Sequence, residues 1–200
     1  MLSMPYAAVN SFESIIADYA GAKYGVAVDS CCNALFLCSY YMKVKQVTLP
    51  KFTYPGVASA VIHAGGKLKF EDVEWQGQYQ LNPYPIIDSA LRFRRGMYIK
   101  GTLYCLSFHA KKHLNIGRGG MILCDSEAAY KWFRKARFDG RSEIPLADDK
   151  ITMAGWNMYL TPEQASRGLM LFDTLKNKDL DDMEWRAQNY PDLSKIKAYK

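Results

Sequence analysis

The sequence predicts an α/β fold, a mainly parallel sheet with helices on both faces, and three observations carry that prediction. Between residues 24 and 70, short apolar runs alternate with helical patterns in the order β-α-β-α-β on short connections, the arrangement of crossover units. Residues 102–124, TLYCLSFHAKKHLNIGRGGMILC, set two apolar strands around a lysine-bearing turn rich in glycine. The chain of 200 residues is 49% hydrophobic, enough to bury the core of one domain with at most a small appendage.

The elements follow in order. Residues 11–19 read as a helix, with Phe12, Ile15, Ile16 and Tyr19 at helical spacing and Gly21 ending it. Residues 24–28 form a strand that runs into Asp29-Ser30-Cys31-Cys32-Asn33 and a helix over 34–42. This turn has two readings: an anion site on a helix N-terminus, or an ordinary cap in which Ser30 or Asn33 bonds its own helix. A strand at 47–50 precedes a helix from Pro55 to about 63, broken by Gly65 and Gly66, and a strand at 67–70. Residues 71–83 read as a surface loop. A compact strand at 84–87 delivers Asp88 to its carboxyl end, where a carboxylate caps a helix or pairs with a cationic ring nitrogen. A short strand is expected at 97–100, then 103–108 and 121–124. Asp125 or Ser126 caps a helix to about 137, and 138–151 is a charged loop. Thr161-Pro162-Glu163-Gln164 is a capping box opening a helix to about 176. From 179 the tail is charged and expected to be helical or frayed.

Formal charge is +6, from 26 basic and 20 acidic residues. The excess is spread along the chain except at Arg92, Arg94 and Arg95 and over 131–141, which suits an anionic ligand such as a phosphate or nucleotide sugar. The arginine trio reads as a solvated face or as a diphosphate holder. No base-reading module or metal-finger spacing is present, so neither nucleic acid nor a metal is expected. Five cysteines without a CxxC pattern point to free thiols in a reducing compartment. No apolar run reaches the ~18 residues of a membrane span, and residues 1–14 lack the signature of a signal peptide. The expected location is the cytoplasm. His63, on an apolar helical pattern, is expected to be packed.

Ser107, Lys111 and Lys112 follow the strand at 103–108, and the carboxyl ends of strands are where open α/β sheets bind ligands. A partly desolvated lysine there loses its proton and attacks a carbonyl; the competing reading is a solvated basic turn in a β-hairpin. Together, the turn at 30–33, the aromatic Tyr54, the acid Asp88 and the lysine pair make up the set that pyridoxal 5′-phosphate needs. Its phosphate takes a helix N-terminus, its ring an aromatic face, its ring nitrogen a carboxylate and its aldehyde a lysine.

The order of motifs resembles the DegT/StrS-type sugar aminotransferases, of the aspartate-aminotransferase fold (fold type I). FESIIADYAGAKYGVAVDSCCNALFL is similar to that family's opening helix, strand and phosphate turn, and VTLPKFTYPGVASAVIHAGGKLKFEDV to its next strand–helix–strand. IIDSA resembles the strand carrying the ring-nitrogen aspartate, SFHAKKHLNIGRGGMI the lysine loop, and GWNMYLTPEQASRGL the segment downstream. The resemblance implies Lys112, rather than Lys111, as the Schiff-base lysine. It implies phosphate contacts from Ser107, Cys31 and Cys32, stacking by Tyr54, pairing of Asp88 with the ring nitrogen, and Asn157 reaching a phosphate across a homodimer interface. Arg118 stands where the family more often has an acidic or small residue, and Leu91 where it has a polar one. About one α/β unit is missing between FEDVEW and IIDSA, and residues 1–200 are expected to form a single reduced large domain without the C-terminal small domain.

The activity so implied is transfer of an amino group, with glutamate as donor, to a keto group of a nucleotide-linked sugar. Two alternatives stand beside it. A non-catalytic module that binds cofactor or sugar nucleotide is favoured by the missing segments. A sugar dehydratase is opposed by Lys112, since that branch of the family typically carries histidine there.

Overall fold

The computed structural model describes residues 5–184, 186 and 189–200. Residues 1–4 of the amino-terminal stretch, and 185, 187 and 188 of the charged tail, lie outside the described residues. Among the described residues there are seven strands and five α-helices. They are α1 (Ala7–Ala20), β1 (Tyr24–Val28), α2 (Cys31–Tyr41), β2 (Gln46–Pro50), α3 (Pro55–His63), β3 (Lys67–Glu71), β4 (Tyr79–Gln80) and β5 (Ile86–Asp88), then β6 (Leu103–Ser107), β7 (Gly120–Cys124), α4 (Glu127–Ala136) and α5 (Pro162–Leu175).

The main sheet has the order β1-β7-β6-β5-β4, and β2 pairs with β3 in a second, parallel ladder. β1, β6 and β5 run in one direction, while β7 and β4 run against their neighbours. The interleaved β7 therefore makes two of the central pairings antiparallel, although the strands flanking it are co-directional. A bridge from Thr48 to Asn82 (N···O 2.8 Å) ties the β2–β3 ladder to the end of β4.

Alternation along the strands feeds two cores, one per face. Val26, Val28, Ile86, Cys105 and Ile122 face α2, α3 and α4. Ala27, Ile87, Tyr104, Leu106, Met121 and Leu123 face α1 and α5. The helix ends follow the sequence signals: Gly21 closes α1 in a left-handed conformation (φ 81°), Ser126 caps α4, and Thr161 and Gln164 complete the capping box of α5.

Four expectations are corrected. β5 starts at residue 86 instead of 84, because Pro85 has no N–H for the ladder and offers only its carbonyl to Leu103 (2.7 Å). Residues 97–100 are not a strand, since Gly96 and Tyr98 donate to the carbonyls of Tyr19 and Ala20 at the end of α1 (both 2.9 Å). The 71–83 loop contains β4. The described part of the tail is extended with two 3-10 turns; Leu193, fully buried, donates to the Lys51 carbonyl (2.9 Å) and lays the tail along the end of β2. All five cysteines are free. No helix among the described residues is long and apolar enough to cross a membrane.

β1 is an edge strand, and its outer side is closed by side chains. Glu13 of α1 accepts the Ala27 N–H (2.7 Å), while Arg137, 1% exposed, donates both to Glu13 and to the Ala27 carbonyl. Arg134 joins Glu13 (2.8 Å) and Glu143 (2.6 Å), so two acids and two bases alternate in one buried network. Glu13→Ala strips both arginines of a partner and orphans the Ala27 N–H, which costs about 3–5 kcal/mol. A thermal melt of the variant should fall by at least about 6 °C; an unchanged midpoint would show the network to be redundant.

Candidate active site

Because β1, β5 and β6 are co-directional, their carboxyl ends share one edge of the sheet. β7 starts there: Gly120 is in register with Val28 of β1 and with Ser107 of β6. A Cβ on Gly120 would stand 2.5 Å from the Ser30 carbonyl carbon and 2.6 Å from the Cys31 nitrogen. Only glycine lets the start of α2 press this closely on the sheet.

The cap reading of the 29–33 turn is found in the structure. Ser30 is an ordinary N-cap, its hydroxyl accepting the Asn33 N–H (3.2 Å), and the first turn of α2 still presents its N-terminal end to the strand edge. Asp29 accepts from the Asn33 side chain (2.6 Å) and pairs with Arg118 (3.0 Å), which also donates to the Asp29 carbonyl (3.2 Å). Cys31 is buried at this terminus with its thiol 4.0 Å from Asp88. Burial, then the charges of Asp88 and Asp29, push the Cys32 thiol up to about 11, so it stays protonated and unreactive at neutral pH.

Asp88 ends β5 at 4% exposure. It caps no helix; one oxygen accepts the Ala90 N–H (3.0 Å) in a local turn. Burial raises its pKa above the ordinary carboxylate value, and the Ala90 N–H, the Tyr79 hydroxyl and the charge of Lys112 oppose that rise. Among the described residues, no cation forms an ion pair with Asp88.

The lysine loop connects an antiparallel hairpin, β6 to β7. Within it the two lysines differ. Lys111 is exposed, whereas Lys112 is half-buried with its N–H on the His109 carbonyl (2.8 Å). Burial lowers the Lys112 pKa, with Lys111 adding to the effect and Asp88 and Cys31 opposing it. The loop thus places the Lys112 amine in the field of Asp88 and Cys31. Ser107 stands at the end of β6, its hydroxyl 3.4 Å from the His109 nitrogen. Tyr54 precedes α3, 59% exposed, and its ring lies over Gly56: a Cβ there would be 2.8 Å from the ring and 2.5 Å from the Cys32 sulfur.

Cys31, Cys32, Tyr54, Asp88, Ser107 and Lys112 therefore converge on one edge. Asn157 does not join them within this chain: it is exposed and donates to Asp139 (3.1 Å). His63 is exposed rather than packed and lines, with Cys32, Asn33 and Gly56, an open depression of about 390 Å³. A larger cavity, about 460 Å³, lies away from the chemistry at the start of β1, between α1 and α4. Arg92 is engaged by both oxygens of Asp182 (2.7 and 2.5 Å), and Arg95 lies over the Tyr19 ring; both are tied down internally. No motif marks Tyr79, which strand pairing sets opposite Asp88, or Thr53, whose hydroxyl meets that of Tyr79 (2.6 Å).

This architecture, a three-layer α/β unit with a lysine and a carboxylate at its strand ends, is that of fold type I aminotransferases. The synthase of 3-amino-5-hydroxybenzoic acid superposes with a TM-score of 0.71 at 20% identity, over 84% of this chain and 56% of that one. PseC of Helicobacter pylori, an aminotransferase involved in pseudoaminic acid biosynthesis, gives 0.65 at 14% identity, over 82% and 57%. The chain belongs to the DegT/DnrJ/EryC1/StrS aminotransferase family, whose model matches residues 1–90 and 96–189.

Curated relatives include the UDP-4-amino-4,6-dideoxy-N-acetyl-β-L-altrosamine transaminase of Campylobacter jejuni serotype O:2, 22% identical over 246 residues, 96% of this chain and 65% of that protein. The spore coat polysaccharide biosynthesis protein SpsC of Bacillus subtilis is 24% identical, over 90% of this chain and 59% of its own length. The chain thus spans about 60–65% of the curated relatives it matches. The match to the Campylobacter enzyme, 246 residues against a chain of 200, includes at least 46 positions that this chain lacks.

The raised pKa of Asp88 fixes the sign of a stability effect. A carboxyl whose folded pKa lies above its unfolded value favours folding below the unfolded pKa, and loses that advantage as pH rises through the folded one. Ionised Asp88 therefore costs stability at neutral pH in the cofactor-free protein. Asp88→Asn, which keeps an acceptor for the Ala90 N–H, should raise the melting temperature at pH 7 by a few degrees (about 2–4 °C per kcal/mol). That gain should shrink at pH 4; a variant less stable at both pH values would contradict the assignment.

Proposed function

We propose that the protein is a pyridoxal 5′-phosphate-dependent aminotransferase that moves an amino group from an amino acid, glutamate, to a keto group of a nucleotide-linked sugar. One observation supports this above the rest: the fold places a partly buried lysine and a buried carboxylate without an ion-pair partner at the same strand ends, beside a helix N-terminus. These residues suit the cofactor. Asp88 offers a buried negative charge for a protonated ring nitrogen, Lys112 an amine with depressed basicity, and Tyr54 an exposed aromatic face. The N-terminal turn of α2 at Cys31 and Cys32, with the Ser107 hydroxyl, suits the phosphate.

When bound, pyridoxal phosphate supplies an aldehyde that condenses with amines and a ring that accepts an electron pair. The chain supplies the rest. Lys112, whose burial favours its neutral form, acts as nucleophile towards the aldehyde and then as the base that holds a proton at Nζ. Asp88 would keep the ring nitrogen protonated.

We take residues 1–200 as one reduced large domain that works as a homodimer in the cytoplasm, the free thiols fitting a reducing compartment. A second copy would bring Asn157, exposed here, to the neighbouring phosphate. The positions missing within the matched span favour a second reading, a module that binds cofactor or sugar nucleotide without turnover.

Borohydride trapping with pyridoxal phosphate, read by peptide mass spectrometry, should mark Lys112. Lys112→Ala should abolish the adduct and lower amino transfer by at least about 10²-fold, whereas Lys111→Ala should do neither. Labelling of Lys111 alone would place the site one residue away. Labelling of Lys112 without amino transfer from glutamate or any other donor would favour the binding module. Mixing Lys112→Ala with Asn157→Ala protein should restore part of the lost activity if sites are shared; two inactive parents that never complement would rule sharing out.

A further inference from the structure

We propose that Tyr79, held by Thr53, is the positioning residue for Asp88. This inference rests on the cofactor reading above but concerns residues that no motif assigns. It starts from the passage between β3 and β5. Residues 72–83 leave β3 and return as β4, which pairs antiparallel with β5 and sets Tyr79 directly opposite Asp88. Directly paired residues on antiparallel strands share a face, so the tyrosine ring and the carboxylate project to the same side.

Two contacts then fix where the Tyr79 hydroxyl sits. Its oxygen is 2.6 Å from the hydroxyl of Thr53, which is 1% exposed and lies between β2 and α3. The Trp75 ring packs on the Tyr79 ring at 4.7 Å between centroids, and its indole N–H donates to the Phe52 carbonyl (3.1 Å). Tyr79 is thereby anchored to the β2 end of the sheet, on the face it shares with Asp88. With Tyr79 donating to the carboxylate, the Thr53 hydroxyl is the donor to the tyrosine oxygen, and the relay runs from Thr53 to Tyr79 to Asp88.

Such a relay answers a requirement of the site. A buried carboxylate tends to take up a proton, and a protonated Asp88 could not hold a ring nitrogen in its charged form. The Ala90 N–H donates to one carboxylate oxygen (3.0 Å), the Cys31 thiol lies 4.0 Å from the same atom, and the relay adds the Tyr79 hydroxyl as a further donor. The other titratable groups facing Asp88 do not replace it. Lys112 acts through its charge and is committed to the aldehyde; Cys31 offers a weak thiol contact; Cys32 and Cys105 have no hydrogen bond to Asp88; and Tyr190 of the tail faces Asp88 without any hydrogen bond to it.

The test reads Asp88 itself. In full-length protein labelled with ¹³C at aspartate carboxyls, the Asp88 signal, assigned by its loss in Asp88→Asn, is titrated with and without pyridoxal phosphate. Tyr79→Phe keeps the ring and the Trp75 contact and removes the hydroxyl. It should raise the Asp88 midpoint by about one pH unit, a tenfold change in ionisation constant. The pH below which pyridoxal phosphate affinity declines should move up with it. Thr53→Val should shift the midpoint in the same direction by less, and Thr53→Ser should restore it.

An unchanged midpoint in folded Tyr79→Phe overturns the proposal and leaves Tyr79 a packing residue. Should Tyr79→Phe fail to fold, Thr53→Val decides: no shift there overturns the relay. If the midpoint shifts in the cofactor-free protein but wild type retains no pyridoxal phosphate, the cofactor reading fails while the positioning of Asp88 by Tyr79 stands.

Discussion

The placement of β1 is the constraint on which the site depends. An edge strand exposes a row of backbone N–H and C=O groups, and β1 is an edge strand whose end must deliver the 29–33 turn to within van der Waals distance of β7. Glu13 and Arg137 close that edge as a further strand would, one accepting from and one donating to the same residue, Ala27. The segment at 156–160 finishes the edge, with Met158 accepting the Asp29 N–H (2.8 Å). Because both ions are nearly fully buried, neither tolerates loss of the other, and α1, β1 and α4 are fixed as one body.

From that fixed strand the chemistry follows by direction. β1, β5 and β6 point the same way, so three chain segments leave the sheet at one edge, and the reversed β7 contributes a glycine exactly where a side chain would hold α2 away. The same burial then acts oppositely on the two groups that matter. It raises the pKa of Asp88 and lowers that of Lys112, while each charge offsets part of the other's shift. An amine that gives up its proton easily and a carboxylate in need of a cationic partner are what a reactive aldehyde on a protonated ring requires.

The chain reaches this arrangement with less material than its relatives. Between β3 and β5 it has a short excursion whose only regular structure is β4, two residues long. β4 and the Thr48–Asn82 bridge carry the sheet across to β2, and the tail, with Leu193 as its anchor, packs along the end of that strand. Aromatic residues from both segments, Trp75, Tyr79 and Tyr190, gather on this side of Asp88.

The sequence by itself determined the local structure and the chemical inventory. Helical spacing in α1, Pro55 at the start of α3, the Thr161–Gln164 box and the glycines after Lys112 act over a few residues, and each is found where its pattern lies. So, too, the motif order identified the family, whose model matches residues 1–90 and 96–189. What only the tertiary structure decided depends on residues far apart in the chain. Lys112 is distinguished from Lys111 by burial, β5 is placed by its pairing with β6, and residues 97–100 lose their strand to the end of α1. Arg92 is taken by Asp182, 90 residues away, and Tyr79 meets Asp88 through a two-residue ladder too short to leave a pattern. Propensity and capping are local energies that a sequence displays openly, whereas desolvation and hydrogen-bond partnership belong to the space between segments and exist only once the chain has packed.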